Sequence, residues 1–115
     1  MSNELNRIIF DAAHRSGHEA ATAMVPEPMA VVGRKEVWHV PEGMCGFAWV
    51  AFKGNTSFGR WALKNKIARK AYQGGLHLWV SDYGQSYDRK SAYAAAFAEV
   101  LRKHGVDAYA DNRLD

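Results

Sequence analysis

The chain has 115 residues, a hydrophobic fraction of 48%, a charged fraction of 23% and a formal net charge of +3. These values exclude a disordered chain, and the length excludes more than one ordinary domain. No apolar run approaches the roughly 18 residues that cross a bilayer, and a lone cysteine, Cys45, excludes an internal disulfide and suits a reducing cytoplasm.

Residues 4–24 have the spacing of an amphipathic helix. Leu5, Ile9, Ala12, Ser16, Ala20 and Ala23 line one stripe, flanked by Ile8, Ala13 and Met24, with Arg7, Asp11, His14 and His18 opposite. "VPEP" ends it, because proline disfavours helix in the residue before it. The N-terminus lacks a basic-then-apolar signal pattern.

"VWHV" (37–40) and "CGFAWVAFK" (45–53) read as two strands joined by a turn at "PEGM". In the second, Phe47, Trp49 and Ala51 share one face and Ala48, Val50 and Phe52 the other. Neither face is polar, which predicts a central strand. "GNTS" follows as a loop with Thr56 or Ser57 as helix cap.

A second helix is predicted from about Phe58 to Tyr72, stopped by Gly74 and Gly75. "LHLWV" (76–80) gives a third strand. Residues 87–104 then form the clearest helix: Ser86 caps it, Asp88 lies in its first turn, and Arg102, Lys103 and His104 crowd its last. Its predicted buried face is Tyr93, Ala94, Phe97, Ala98, Val100 and Leu101. "VDAYA" (106–110) closes the chain as a strand before a polar tail. The expected fold is one α+β domain over 1–115, with about four strands covered by three helices in the order α-β-β-α-β-α-β.

Charge is unevenly distributed. No Asp or Glu lies between Glu42 and Asp82, while Lys53, Arg60, Lys64, Lys66, Arg69 and Lys70 all do, giving that window +6. The rest carries nine Lys and Arg against twelve Asp and Glu, or −3. Along the predicted helix, Phe58 and, within "GRWALKNKIARKAY" (59–72), Trp61 gather on one side and Leu63 and Ile67 on the other. If Leu63 and Ile67 point inward, Phe58 and Trp61 become surface rings beside cations, suited to stacking bases and holding phosphates. An ordinary solvated helix face accounts for the same charges, and so does an acidic protein partner.

"SDYGQSYDRK" (81–90) is the densest polar segment. Asp82, Tyr83, Gln85, Tyr87 and Arg89 surround a strand-to-helix junction and form a second candidate binding loop, with a capped turn as the plainer reading. His14 and His18 have i, i+4 metal-ligand spacing, but no matching pair supplies the remaining ligands, so neither metal nor cofactor is expected. Cys45 would need His39 or His77 as a base to act as a nucleophile. No phosphate loop, catalytic carboxylate pair, triad or dinucleotide fingerprint occurs. A non-enzymatic binding protein is therefore expected.

Through "GMCGFAWV" (43–50), "GGLHLWVSDYGQSYDRKSAYAAAFAEVL" (74–101) and "AYADNRLD" (108–115), the chain resembles small uncharacterised proteins of tailed bacteriophages and prophages. That group has no established activity, so the resemblance transfers no catalytic residue. It implies expression inside a bacterial host, in its cytoplasm, and an accessory role outside the main structural parts of the virion. The lack of a long apolar run separately argues against a membrane partner. The expected partner is nucleic acid or a nucleic-acid-handling complex, bound through Lys53, Arg60, Trp61, Lys64, Lys66, Arg69 and Lys70. The alternative is an inhibitor or adaptor that binds a host protein, with defence components among the candidates, through an apolar patch or a homo-oligomer face.

Overall fold

The computed structural model describes residues 3–25, 29–32, 37–40, 45–84 and 86–114. Along them run α1 (Asn3–Ala23), β1 (Met29–Val32), β2 (Val37–Val40), β3 (Gly46–Phe52), α2 (Ser57–Lys64), β4 (Arg69–Lys70), β5 (Leu76–Trp79), α3 (Tyr87–Lys103) and β6 (Ala108–Leu114). The turn assigned to "PEGM" and the residue Gln85 lie outside the described residues.

Local chemistry explains most boundaries. The Ser86 hydroxyl accepts from the Arg89 N–H at 3.3 Å to open α3, and Gly105, at φ +82°, closes it. Thr56 does the same for α2, accepting from the Gly59 N–H at 2.9 Å. The second helix, however, stops at Lys64 and not at Tyr72. The Asn65 side-chain amide donates to the Trp61 carbonyl at 2.8 Å, Lys66 turns left-handed at φ +60°, and the N–H groups of Ile67 and Ala68 both reach back to Ala62. That reversal frees Arg69 and Lys70 to pair with His77 and Leu76. Gly74 and Gly75, both at positive φ, therefore turn a β-hairpin instead of ending a helix.

Four strands form one sheet in the order β4-β5-β3-β6, and every neighbouring pair is antiparallel. From Gly46 onward the elements run β-α-β-β-α-β, with the first of these strands between the third and fourth. This is the split β-α-β connectivity. The central position expected for β3 is observed, and the sheet with its three helices makes one α+β domain. Two expectations change. The strand 37–40 pairs with 29–32 in a separate two-stranded sheet, not with 46–52. The closing strand runs 108–114, because alternation continues through the polar tail and every residue from Gly46 to Phe52 finds a partner there.

Helices cover one face of the sheet. Ala48, Val50 and Phe52 of β3, Leu76 and Leu78 of β5, and Ala108 of β6 are buried beneath Phe58 of α2 and Phe97 and Leu101 of α3. Side chains of that size each contribute about 1.5–3 kcal/mol when fully buried. Lys90 joins the predicted buried face of α3, while Val100 is only half-buried.

The buried stripe of α1 is Asn6, Ile9, Ala13, Gly17 and Ala21, rotated from the predicted one and leaving Ile8 55% exposed. Small residues decide this. A Cβ on Gly17 would lie 2.7 Å from the Tyr93 ring, so glycine there lets α1 press against α3. Asn6 is drawn in because its amide donates to Ser57 Oγ at 3.1 Å.

Candidate nucleic-acid interface on the open sheet face

Strand alternation sends the other half of the side chains to the opposite face of the four-stranded sheet, away from the helices. Register places Trp49 between Trp79 of β5 and Asp111 of β6, Ala51 between His77 and Tyr109, and Phe47 beside Arg113. Arg69 of β4 lies across from His77. Phe47, Trp49, His77 and Trp79 are half-buried, whereas Tyr109 is 59% exposed.

The rings form a continuous platform. The Val80 N–H donates to the Ala48 carbonyl at 3.0 Å, which makes Trp49 and Trp79 a non-hydrogen-bonded pair, the kind whose side chains approach most closely. Their centroids are 4.6 Å apart. His77 lies 5.6 Å from Trp49 and 6.1 Å from Trp79, and Phe47 meets Trp79 edge-on at 6.3 Å. The Arg113 guanidinium sits 5.2 Å from the Phe47 ring centroid, a cation–π contact.

Two open hollows meet at His77. One, of about 400 Å³, is bounded by Trp49, His77, Tyr109, Lys53, Asp107 and Asp111. The other, of about 540 Å³, lies toward the sheet edge among Trp79, Ile67, Lys66 and Arg69. Burial pushes the His77 pKa below 6.5, and the Asp111 carboxylate partly opposes that shift.

The residues singled out from sequence fall in different places. Phe58 is 2% exposed and Trp61 7%. Neither is a surface ring, because α2 turns both onto Phe52 and Phe10 and leaves Leu63 and Ile67 at the half-buried margin. The Arg7 guanidinium of α1 covers Trp61 at 5.8 Å. Arg60 and Lys64 flank a hollow with Asn3 and Ser57 in the helical layer, away from the open face. Lys53, Lys66 and Arg69 do border that face, and Lys70 is exposed on β4 opposite Leu76. The six cations thus split between two sides of the molecule.

Most of the polar loop ties elements together. The Tyr83 hydroxyl meets His18 Nδ1 at 2.9 Å, with Tyr83 itself at φ +71°. The Tyr87 hydroxyl donates to Asn112 Oδ1 at 2.6 Å, and Arg89 Nη1 donates to the Ala21 carbonyl at 2.8 Å. Asp82 stays exposed. His14 is held in the same way, 2.6 Å from the buried Tyr93 hydroxyl, whose pKa burial raises. Among the described residues no group of three or more His, Cys, Asp or Glu side chains is placed to hold a metal ion.

Cys45 is exposed and bridges to Ser86. His77 pairs with Ala51, six residues further along β3 and so roughly 20 Å away. Those two groups do not form a dyad. Among the described residues no helix is long and apolar enough to cross a membrane.

Sequence reasoning overlooked His77, Trp79, Tyr109, Asp111 and Arg113 as members of one site. The available signal was period two: "FAW", "HLW" and "YADNR" each place an aromatic or charged residue at every second position. Comparison with protein-family models, with curated proteins and with solved structures yields no match to this chain.

Proposed function

We propose that the protein binds single-stranded nucleic acid through the open face of its four-stranded sheet, as a non-enzymatic accessory protein. The carrying observation is the Trp49–Trp79 pair, 4.6 Å apart on the sheet face opposite the helical layer, with Arg69, Lys53 and Arg113 around it. Unstacked bases bring flat faces to such rings, and each stacked base contributes about 1–3 kcal/mol. The surrounding cations suit the phosphates. A duplex hides its base faces, so the same platform favours single strands over double. The likeness to phage proteins and the lone, exposed Cys45 suit a protein at work in a bacterial cytoplasm.

The test is fluorescence anisotropy with labelled single-stranded and duplex oligonucleotides of DNA and RNA, at low and at moderate salt. The expected result is salt-dependent binding of single strands, accompanied by tryptophan quenching, and weakened about 5- to 100-fold by Trp79→Ala. An absence of binding at low salt, or binding indifferent to Trp49→Ala combined with Trp79→Ala, overturns the proposal. A half-buried aromatic face also suits a protein partner, because interfaces are enriched in such rings. If a bacterial protein stays bound after nuclease treatment and is released by Trp79→Ala, the partner is a protein and not a nucleic acid.

A further inference from the structure

Two carboxylates on a face built for a polyanion need a reason. Asp111 stands on the edge strand β6, directly across from Trp49, and Asp107 lies just before that strand. Both line the hollow of about 400 Å³ beside the small side chain of Ala51, with the rings of Trp49, His77 and Tyr109 as walls and Lys53 at the rim. An ionised carboxylate only accepts hydrogen bonds. It repels phosphate, so what it can attract from a DNA strand is an N–H edge of a base.

The donor–acceptor patterns of the bases then discriminate. Guanine presents two adjacent donors, N1–H and the N2 amino group, next to its O6 acceptor. Adenine and cytosine each pair one donor with a neighbouring acceptor, and thymine or uracil flanks its single N–H with two acceptors. A carboxylate accepting two parallel N–H bonds matches guanine alone, and a neighbouring ammonium completes the pattern at O6. Resting on the single-strand reading of this face, we infer that the Asp111 hollow is a guanine subsite, with Asp111 as its specificity-determining residue and Lys53 on the O6 side. One Asp111 oxygen already accepts from the Asn112 N–H at 2.8 Å, which fixes the carboxylate for that task.

The experiment uses labelled oligothymidylates, DNA strands about a dozen nucleotides long with one central guanine, inosine, adenine, cytosine or thymine, titrated at low salt. The guanine strand should bind about tenfold or more tightly than the adenine, cytosine and thymine strands. Inosine lacks the N2 amino group and should fall between. Asp111→Asn should bring the ratio of guanine-strand to thymine-strand affinity down to about one, with all-thymine affinity rising modestly as repulsion of the phosphates is lost, and Asp107→Asn should reduce that ratio less. Equal affinity for all five strands overturns the guanine subsite but leaves the binding face intact. A uniform gain of affinity in Asp111→Asn, with the base preference retained, also overturns it, since Asp111 then acts only by charge. If none of the strands binds, both the subsite and the single-strand reading fail.

Discussion

Two stretches of this chain carry tryptophan among cations, and they have opposite fates. In α2, Trp61 sits on the side of a short helix that faces Phe10 and Phe58 and is covered by Arg7, so its ring serves the core. In β3 and β5, Trp49 and Trp79 occupy strand positions whose neighbours in sequence, Ala48, Val50, Leu78 and Val80, have taken the core face. A helix of eight residues, about two turns long, has one side to bury, whereas a strand always presents two. Aromatic residues beside positive charge therefore say little until the period on which they lie is known.

Emptying each kind of site should separate the two roles most sharply. Trp61→Ala, removing a core ring, is expected to cost about 3–5 kcal/mol of folding stability. Chemical denaturation checks it, and a loss below about 1 kcal/mol would mean that the ring is not a core element. Trp79→Ala should leave stability within about 1 kcal/mol while lowering single-strand affinity by about 1–3 kcal/mol. If instead Trp79→Ala unfolds the protein and Trp61→Ala does not, the assignment of the two faces is reversed.

The charges offer a milder contrast. Lys53 and Arg69 border the open face, whereas Arg60 and Lys64 belong to the helical layer. Replacing Lys53 and Arg69 together by Gln should flatten the salt dependence of binding by up to about two units of slope. The same change at Arg60 and Lys64 should leave it unaltered. Equal effects from both pairs would point to a diffuse field around the whole molecule, with no defined path for the phosphates.

These contrasts also mark how far the sequence could be read. The α+β order, the Ser86 and Thr56 caps, the central position of β3 and most of the buried face of α3 follow from local rules, because each depends on residues within a turn or two. The end of α2 did not. Its apolar and cationic pattern continues to Tyr72, yet pairing of Arg69 and Lys70 with β5 draws the chain out of the helix, a long-range contact that no local propensity records. The site was displaced for the same reason. Lys53, Lys66 and Arg69 were legible as candidates, but only the register of β5 and β6 against β3 brings Trp79, His77, Asp111 and Arg113 alongside Trp49.

His77 gives the finest test of the open face. Arg69 lies opposite it on β4, Trp49 and Ala51 flank it on β3, and Asp111 acts on it from β6. Burial comes first among the causes and lowers its pKa from 6.5, so the folded protein disfavours the imidazolium. Because the unfolded chain takes up this proton more readily, the contribution of His77 to stability is present above about pH 6.5 and declines as pH falls through its lowered folded value. Phosphates lying across the face act in the other direction, favouring the protonated ring. Affinity for a single strand should therefore rise as pH falls from about 7.5 to about 5.5, and His77→Asn should remove most of that rise. His14, His18 and His104 are bonded away from this face, to the Tyr93 and Tyr83 hydroxyls and the Val100 carbonyl, so the variant leaves their contacts intact. Paired anisotropy titrations of the two proteins across that range measure the difference. An identical rise in both would place the bound strand away from His77, and with it away from the junction of the two hollows.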